Sequence, residues 1–167
     1  LLLPENGTAR IVGAAGAIPT VPAGQKAWVV VPSVENADLS TPCDTTSTPV
    51  DSTGAFSIVA GCPSTPVTLS SRVFLRVIDP TANFTVLPLG PYVSADGLAF
   101  VPTPGRTTVY TTPEGVEVTV PAGAFDEAKV VRVAKKDPAT LGVALPAYLE
   151  LGAFIDVDFD GEAKETL

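Results

Sequence analysis

The 167-residue sequence contains no histidine and no methionine, only two cysteines and one tryptophan, and just 17% charged residues. Without histidine the chain cannot itself supply a Ser-His-Asp or Cys-His catalytic set, nor any histidine-ligated metal site. Two cysteines are too few for a four-thiolate zinc site, and neither belongs to a Cys-x-x-Cys redox motif. Basic residues are also scarce, with Lys plus Arg at 10 against Asp plus Glu at 18, a net charge of −8. Both halves are acidic: 4 positive and 7 negative residues precede Pro104, and 6 positive and 11 negative follow it. Neither half offers the basic face that nucleic-acid phosphates or anionic membranes attract, so nucleic acid and membrane insertion are not expected. No apolar run approaches the ~20 residues that cross a bilayer as a helix.

What the chain has in excess is punctuation. Proline and glycine number 17 and 14, one residue in every five or six, which leaves little room for long helices. Yet 46% of the residues are apolar, too many for a disordered proline-rich tract. Strand-like alternation fills the gaps: Thr8–Val12, Lys26–Val31 closed by Pro32, Ala55–Val59, Arg72–Ile78, Asn83–Leu87 and Leu98–Val101. After the cluster Pro102-Thr103-Pro104-Gly105 the pattern resumes at Thr107–Tyr110. It continues at Val116–Val120, with Val116, Val118 and Val120 inward, then at Val130–Val133 and within Leu149–Phe159. Asp137-Pro138 has the form of a helix N-cap and first helical position, for one turn. Strands about every ten residues separated by turn signals predict an all-β fold. The expected arrangement is two β-sandwich-like modules with Greek-key-type antiparallel sheets, residues 1–104 and 105–167, joined by a semi-rigid hinge at 102–105.

Cys43 and Cys62 lie 19 positions apart in Thr/Ser/Pro-rich sequence, each beside a proline. They read best as a disulfide, contributing about 3 kcal/mol by closing a loop of that size. A disulfide implies an oxidising compartment, hence an extracellular, cell-surface or periplasmic location. The alternative is a pair of buried thiols in the cytosol. Leu1-Leu2-Leu3 has the character of the end of a signal peptide, and the lack of any methionine suggests part of a longer, processed protein. Asn6-Gly7-Thr8 and Asn83-Phe84-Thr85 match the glycosylation sequon.

The first half resembles bacterial cell-surface immunoglobulin-like and carboxypeptidase-regulatory-like modules. The resemblance rests on Gly7-Thr8-Ala9-Arg10-Ile11-Val12-Gly13, Val21-Pro22-Ala23-Gly24, Asp51-Ser52-Thr53-Gly54-Ala55-Phe56-Ser57 and Val77-Ile78-Asp79-Pro80-Thr81-Ala82-Asn83. In its Asp-x-x-Gly-x-Phe element, Asp and Gly suit a turn and the aromatic enters the core on the next strand. The cysteine-bearing stretch from Glu35 to Pro49 departs from that pattern. The second half, about residues 107–160, resembles the ZU-type module of ankyrins, netrin receptors and bacterial surface proteins. That likeness is carried by Val120-Pro121-Ala122-Gly123-Ala124-Phe125 and by Leu149-Glu150-Leu151-Gly152 leading into Ala153-Phe154-Ile155-Asp156-Val157. Some proteins with that module cleave themselves at His-Phe-Ser; lacking histidine, this chain is not expected to. The stretch is short for the module, so the expectation is a truncated copy. Both resemblances imply a structural or interaction role.

Several residues invite a sharper reading. Asp156-Val157-Asp158-Phe159-Asp160-Gly161 matches the first half of a calcium loop, placing hard oxygen ligands at alternate positions. The twelfth position is Leu167 rather than Glu, and Ile155, Val157 and Phe159 alternate with the acids as on a strand with an acidic outer face. Asp156, Asp158 and Asp160 are therefore candidate calcium ligands, with a strand as the preferred alternative. Asp51-Ser52-Thr53-Gly54 approaches the aspartic-protease loop, but its spacing is one residue too long and no second copy supplies the partner acid. Glu114, Glu117, Asp126, Glu127 and Glu150 are the available carboxylates for acid–base hydrolysis, and ordinary surface acids otherwise. Trp28, Tyr92, Tyr110 and Tyr148 could form a sugar-stacking platform, although Trp28 sits in a valine run suited to a core. No catalytic or cofactor-binding residues are expected. The favoured function is a non-catalytic module that spaces or docks neighbouring domains; the alternative is a carbohydrate-binding or calcium-stiffened adhesion module.

Overall fold

A computed structural model of the chain describes residues 1–22, 25–35, 47–103, 105–137, 140 and 154–159. Among these the fold is all-β and every strand pairing is antiparallel. No helix among the described residues is long and apolar enough to cross a membrane. The chain divides into two compact units, Leu1–Tyr92 and Val93–Leu167.

The first unit is sandwich-like. Strands β1 (Ala9–Gly13) and β4 (Phe56–Ala60) pair as one sheet. A second sheet has the order β3-β2-β5-β6, from β3 (Thr48–Pro49), β2 (Val29–Glu35), β5 (Arg72–Ile78) and β6 (Phe84–Pro88). Strands β2 and β3 lie alongside β4. The alternation read from the sequence becomes the core: Ala9, Ile11, Ile58 and Ala60 are buried on the first sheet, and Val30, Val34, Val73, Leu75 and Val77 on the second. A fully buried Val or Leu contributes roughly 1.5–3 kcal/mol, so these two inner faces supply most of what holds the unit together. Tyr92 ends the unit as a buried residue whose hydroxyl donates to the Ser71 carbonyl at 2.9 Å. Gly13 sits directly opposite Phe56, whose ring would lie 2.2 Å from any Cβ placed there.

Pro32 does not close its strand. Strand β2 runs through it to Glu35, and Pro32 itself is buried. The register explains the tolerance. Leu89 N–H donates to Val73 O, so Val73, Leu75 and Val77 turn their backbone polar groups toward β6. Their cross-strand partners Val34, Pro32 and Val30 must then turn theirs away from β5, toward β3. Val50 N–H donating to Trp28 O is consistent with this. Described pairing between β2 and β3 stops at Val30–Thr48, so the N–H that Pro32 lacks has no described ladder bond to break. Pro49 in β3 and Pro88 in β6 likewise fall at positions whose nitrogen points outward from the sheet.

The second unit contains β7 (Ala99–Phe100), β8 (Thr108–Thr111), β9 (Glu117–Val120), β10 (Val131–Lys136) and β11 (Phe154–Phe159). Strands β8 and β9 form a hairpin, and a second sheet has the order β11-β10-β7. Its core is Phe100, Val120, Val131 and Val133, with Val93, Tyr110, Val116, Val118 and Phe125 packed around it. The inward valines of β9 and the preceding Val116 thus face the core as their spacing required. Phe100 stacks on Tyr110 with ring centroids 4.5 Å apart.

The division falls between Tyr92 and Val93, earlier than the boundary expected at Pro104. Strand β7 pairs with β10, and Val101 and Pro102 are buried, so this stretch belongs to the second unit. Thr103 N–H donates to Thr108 Oγ1 at 2.9 Å, and Arg106 N–H to Thr103 O at 3.2 Å. On either side of Pro104, the segment expected to be a hinge is thus held within the second unit, Pro102 by burial and Thr103 by its bonds to Thr108 and Arg106. Pro104 itself, Cys43, Tyr148, Glu150 and Asp160 lie outside the described residues.

Candidate functional site

The acids come first, because each could in principle carry chemistry. Asp51 Oδ1 accepts hydrogen bonds from Thr53 N–H at 2.7 Å, Thr53 Oγ1 at 2.7 Å and Ala55 N–H at 3.0 Å. The Thr53 hydroxyl, then the backbone donors, hold this carboxyl below the ordinary range. It anchors the turn into β4. Asp79 repeats the device between β5 and β6, accepting from Thr81 and Asn83, with the Thr81 hydroxyl the largest cause of its lowered pKa. Asp96 accepts from the Ser94 hydroxyl, Leu98 N–H and Arg132, and is pushed down to about 2, Ser94 contributing most. These carboxylates organise turns.

Two of the carboxylates weighed for hydrolysis have partners among the described residues. Glu114 Oε2 accepts the Lys135 N–H at 2.9 Å, and Glu127 pairs with Lys129 at 2.9 Å. Glu117 and Asp126 are exposed. Of the calcium candidates, Asp156 and Asp158 lie on β11, opposite Ala134 and Arg132 of β10. Asp156 meets Lys136 at 3.5 Å, while Arg132 also reaches Asp96 at 2.8 Å. Two of the three acids therefore sit on a regular strand face beside cations. Among the described residues, no group of three or more Cys, Asp or Glu side chains could hold a metal ion. The described members of the proposed sugar platform are spent on packing. Tyr92 is buried, Trp28 is half-buried, and the Tyr110 hydroxyl donates to Gly97 O at 2.8 Å while its ring covers Phe100.

What the first unit leaves open is the outer face of its larger sheet. Because side chains alternate, β5 turns Val73, Leu75 and Val77 inward and Arg72, Phe74, Arg76 and Ile78 outward. The register sets Pro88, Val86 and Phe84 of β6 beside Phe74, Arg76 and Ile78, and Ser33 and Val31 of β2 on their other side. Phe84 is 63% exposed and Val86 49%. The Arg72 guanidinium lies 5.2 Å from the Phe74 ring centroid, and that of Arg76 5.2 Å from Phe84. Arg72 also reaches Glu35 at 3.6 Å; Arg76 has no carboxylate within ion-pair distance among the described residues. Sequence reasoning did not single out this face. Its signal was present in Arg72-x-Phe74-x-Arg76, an alternation whose polar face also carries an aromatic.

The two edges of this sheet differ. At one, β3 is two residues long and ends in Pro49. At the other, all five residues of β6 are exposed. Asp79 N–H donates to Asn83 O and Leu89 N–H to Val73 O, which fixes Thr85 and Leu87 as the residues bonded to β5. Phe84 and Val86 then point N–H and C=O outward, and no described strand takes them. Comparison with protein-family models, curated proteins and solved structures finds no match to this chain.

Proposed function

We propose that the chain is a non-catalytic structural or interaction module of a secreted or cell-surface protein, one that spaces or docks neighbouring domains. The observation that carries this reading is the outer face of the β2–β5–β6 sheet, where exposed aromatic and aliphatic side chains lie among two stacked arginines. Contiguous apolar surface of this kind marks contact sites, and Arg with aromatics is the composition of protein interfaces. The turn-bound acids support the non-catalytic half of the reading. The same proposal includes a Cys43–Cys62 disulfide and an oxidising compartment, and no bound cofactor.

A photo-crosslinking residue placed at Phe84 of the protein in its native setting tests it, with the same residue at exposed Thr119 as control. The expected adducts join Phe84, and not Thr119, to a neighbouring domain or a surface partner. Turnover of any hydrolase substrate by the purified chain would contradict the reading, as would identical adducts from both positions.

A further inference from the structure

We infer that β6 is a capture edge for an extended acidic–apolar peptide segment, which joins the sheet as an additional antiparallel strand beyond β6. This rests on the docking reading above and names the kind of partner it involves. Backbone geometry states what the edge can accept. Phe84 and Val86 offer two outward N–H groups, and with Pro88 three outward C=O groups; only an extended chain presents acceptors and donors at that spacing. Pro88 supplies no donor, so the row of outward N–H groups ends at Val86.

Side chains state what the incoming strand should carry. A residue placed beside Val86 shares the outer face with Arg76, one strand further in. Arg76 stacks on Phe84 and lacks a carboxylate among the described residues, and Asp79 at the nearby turn is engaged by Thr81 and Asn83. With its carbon 5.2 Å over the Phe84 ring centroid, the guanidinium still has five N–H donors to offer a carboxylate. The neighbouring positions meet Phe84 and Pro88, so they should be apolar. At the opposite edge of the sheet, the described strand is two residues long and ends in Pro49, which offers no donor.

The test is NMR on the full 15N-labelled chain, titrated with a capped peptide of sequence Val-Thr-Glu-Thr-Val, which sets one glutamate between two valines on a single face, and, separately, with its lysine counterpart. Saturable shifts and new exchange protection are expected at the Phe84 and Val86 amides. The glutamate peptide should bind up to about fivefold more tightly, the scale of one exposed ion pair. Val86→Pro removes an outward N–H without cutting a bond to β5 and should abolish binding. Arg76→Glu should transfer the preference to the lysine peptide, which keeps the inference testable should Val86→Pro fail to fold. Equal binding of the two peptides, or binding unaffected by Val86→Pro, overturns it. Shifts confined to Phe74 and Val31, with the β6 amides unmoved, would also overturn strand capture while leaving docking on the sheet face intact. Enzymatic turnover would instead remove the docking reading itself.

Discussion

At the residue scale, backbone positions and single hydroxyls set the tolerances. Gly54 adopts φ +83°, and a Cβ there would come within 2.2 Å of the Ile18 carbonyl oxygen, a backbone atom with no freedom to give way. Gly54→Ala should therefore cost about 1–3 kcal/mol in urea unfolding. Gly115→Ala, with φ +79° but open space around it, should cost only about 1 kcal/mol. Equal losses would mean that the contact with Ile18 is unimportant. Tyr92 offers a pH signature. Desolvation raises its pKa, so the folded state resists ionisation that the unfolded chain undergoes near 10. The stability it contributes is complete below that value and declines as pH rises beyond it. Tyr92→Phe should lower stability at neutral pH by about 1 kcal/mol, through the lost bond to Ser71, and flatten the alkaline decline. An alkaline melting profile identical in the variant would contradict this.

At the level of strands and turns, Asp96 runs the opposite way. Its folded pKa is depressed to about 2, so its contribution is present above the ordinary 3.8 and is lost as pH falls through about 2. Asp96→Asn should make acid unfolding less steep in that window, and unchanged steepness would show that the Ser94–Asp96–Arg132 cluster is inconsequential. On β11, the pairing of Asp156 with Lys136 and the setting of Asp158 opposite Arg132 imply coincident melting midpoints in millimolar calcium and in chelator. A clear rise with calcium would restore the ion-binding loop. Strand identities were legible because period-two burial survives translation from sequence to sheet: Arg72–Ile78 was read with its observed bounds. Other features were not legible, for a common physical reason. Whether Pro32 ends a strand depends on which neighbour its nitrogen faces, and β3 exists only through pairing with Val29 and Val30. The cluster at 102–105 has the local chemistry of a linker, yet Pro102 is buried and Thr103 bonds to Thr108 within the second unit. The outer face of β5 and β6 needed the register before Phe84, Val86 and Arg76 could be seen as one surface.

For the whole molecule, two all-β units separate between Tyr92 and Val93, each with its own buried apolar cluster. Asp51, Asp79 and Asp96 stabilise turns, and the exposed surface of the first unit is what remains to be explained. The proposed Cys43–Cys62 cross-link belongs to this scale too: protein purified without reductant should show no titratable thiol until it is reduced, and two freely titrating thiols would argue for a reducing compartment. Everything proposed about docking depends on an unoccupied sheet edge. Amide hydrogen exchange along β6 in the unliganded full chain measures this directly. The expected pattern alternates, with Thr85 and Leu87 slow because they bond to β5, and Phe84 and Val86 fast because they face solvent. Slow exchange at all four amides would mean that the edge is already covered, and would contradict the account.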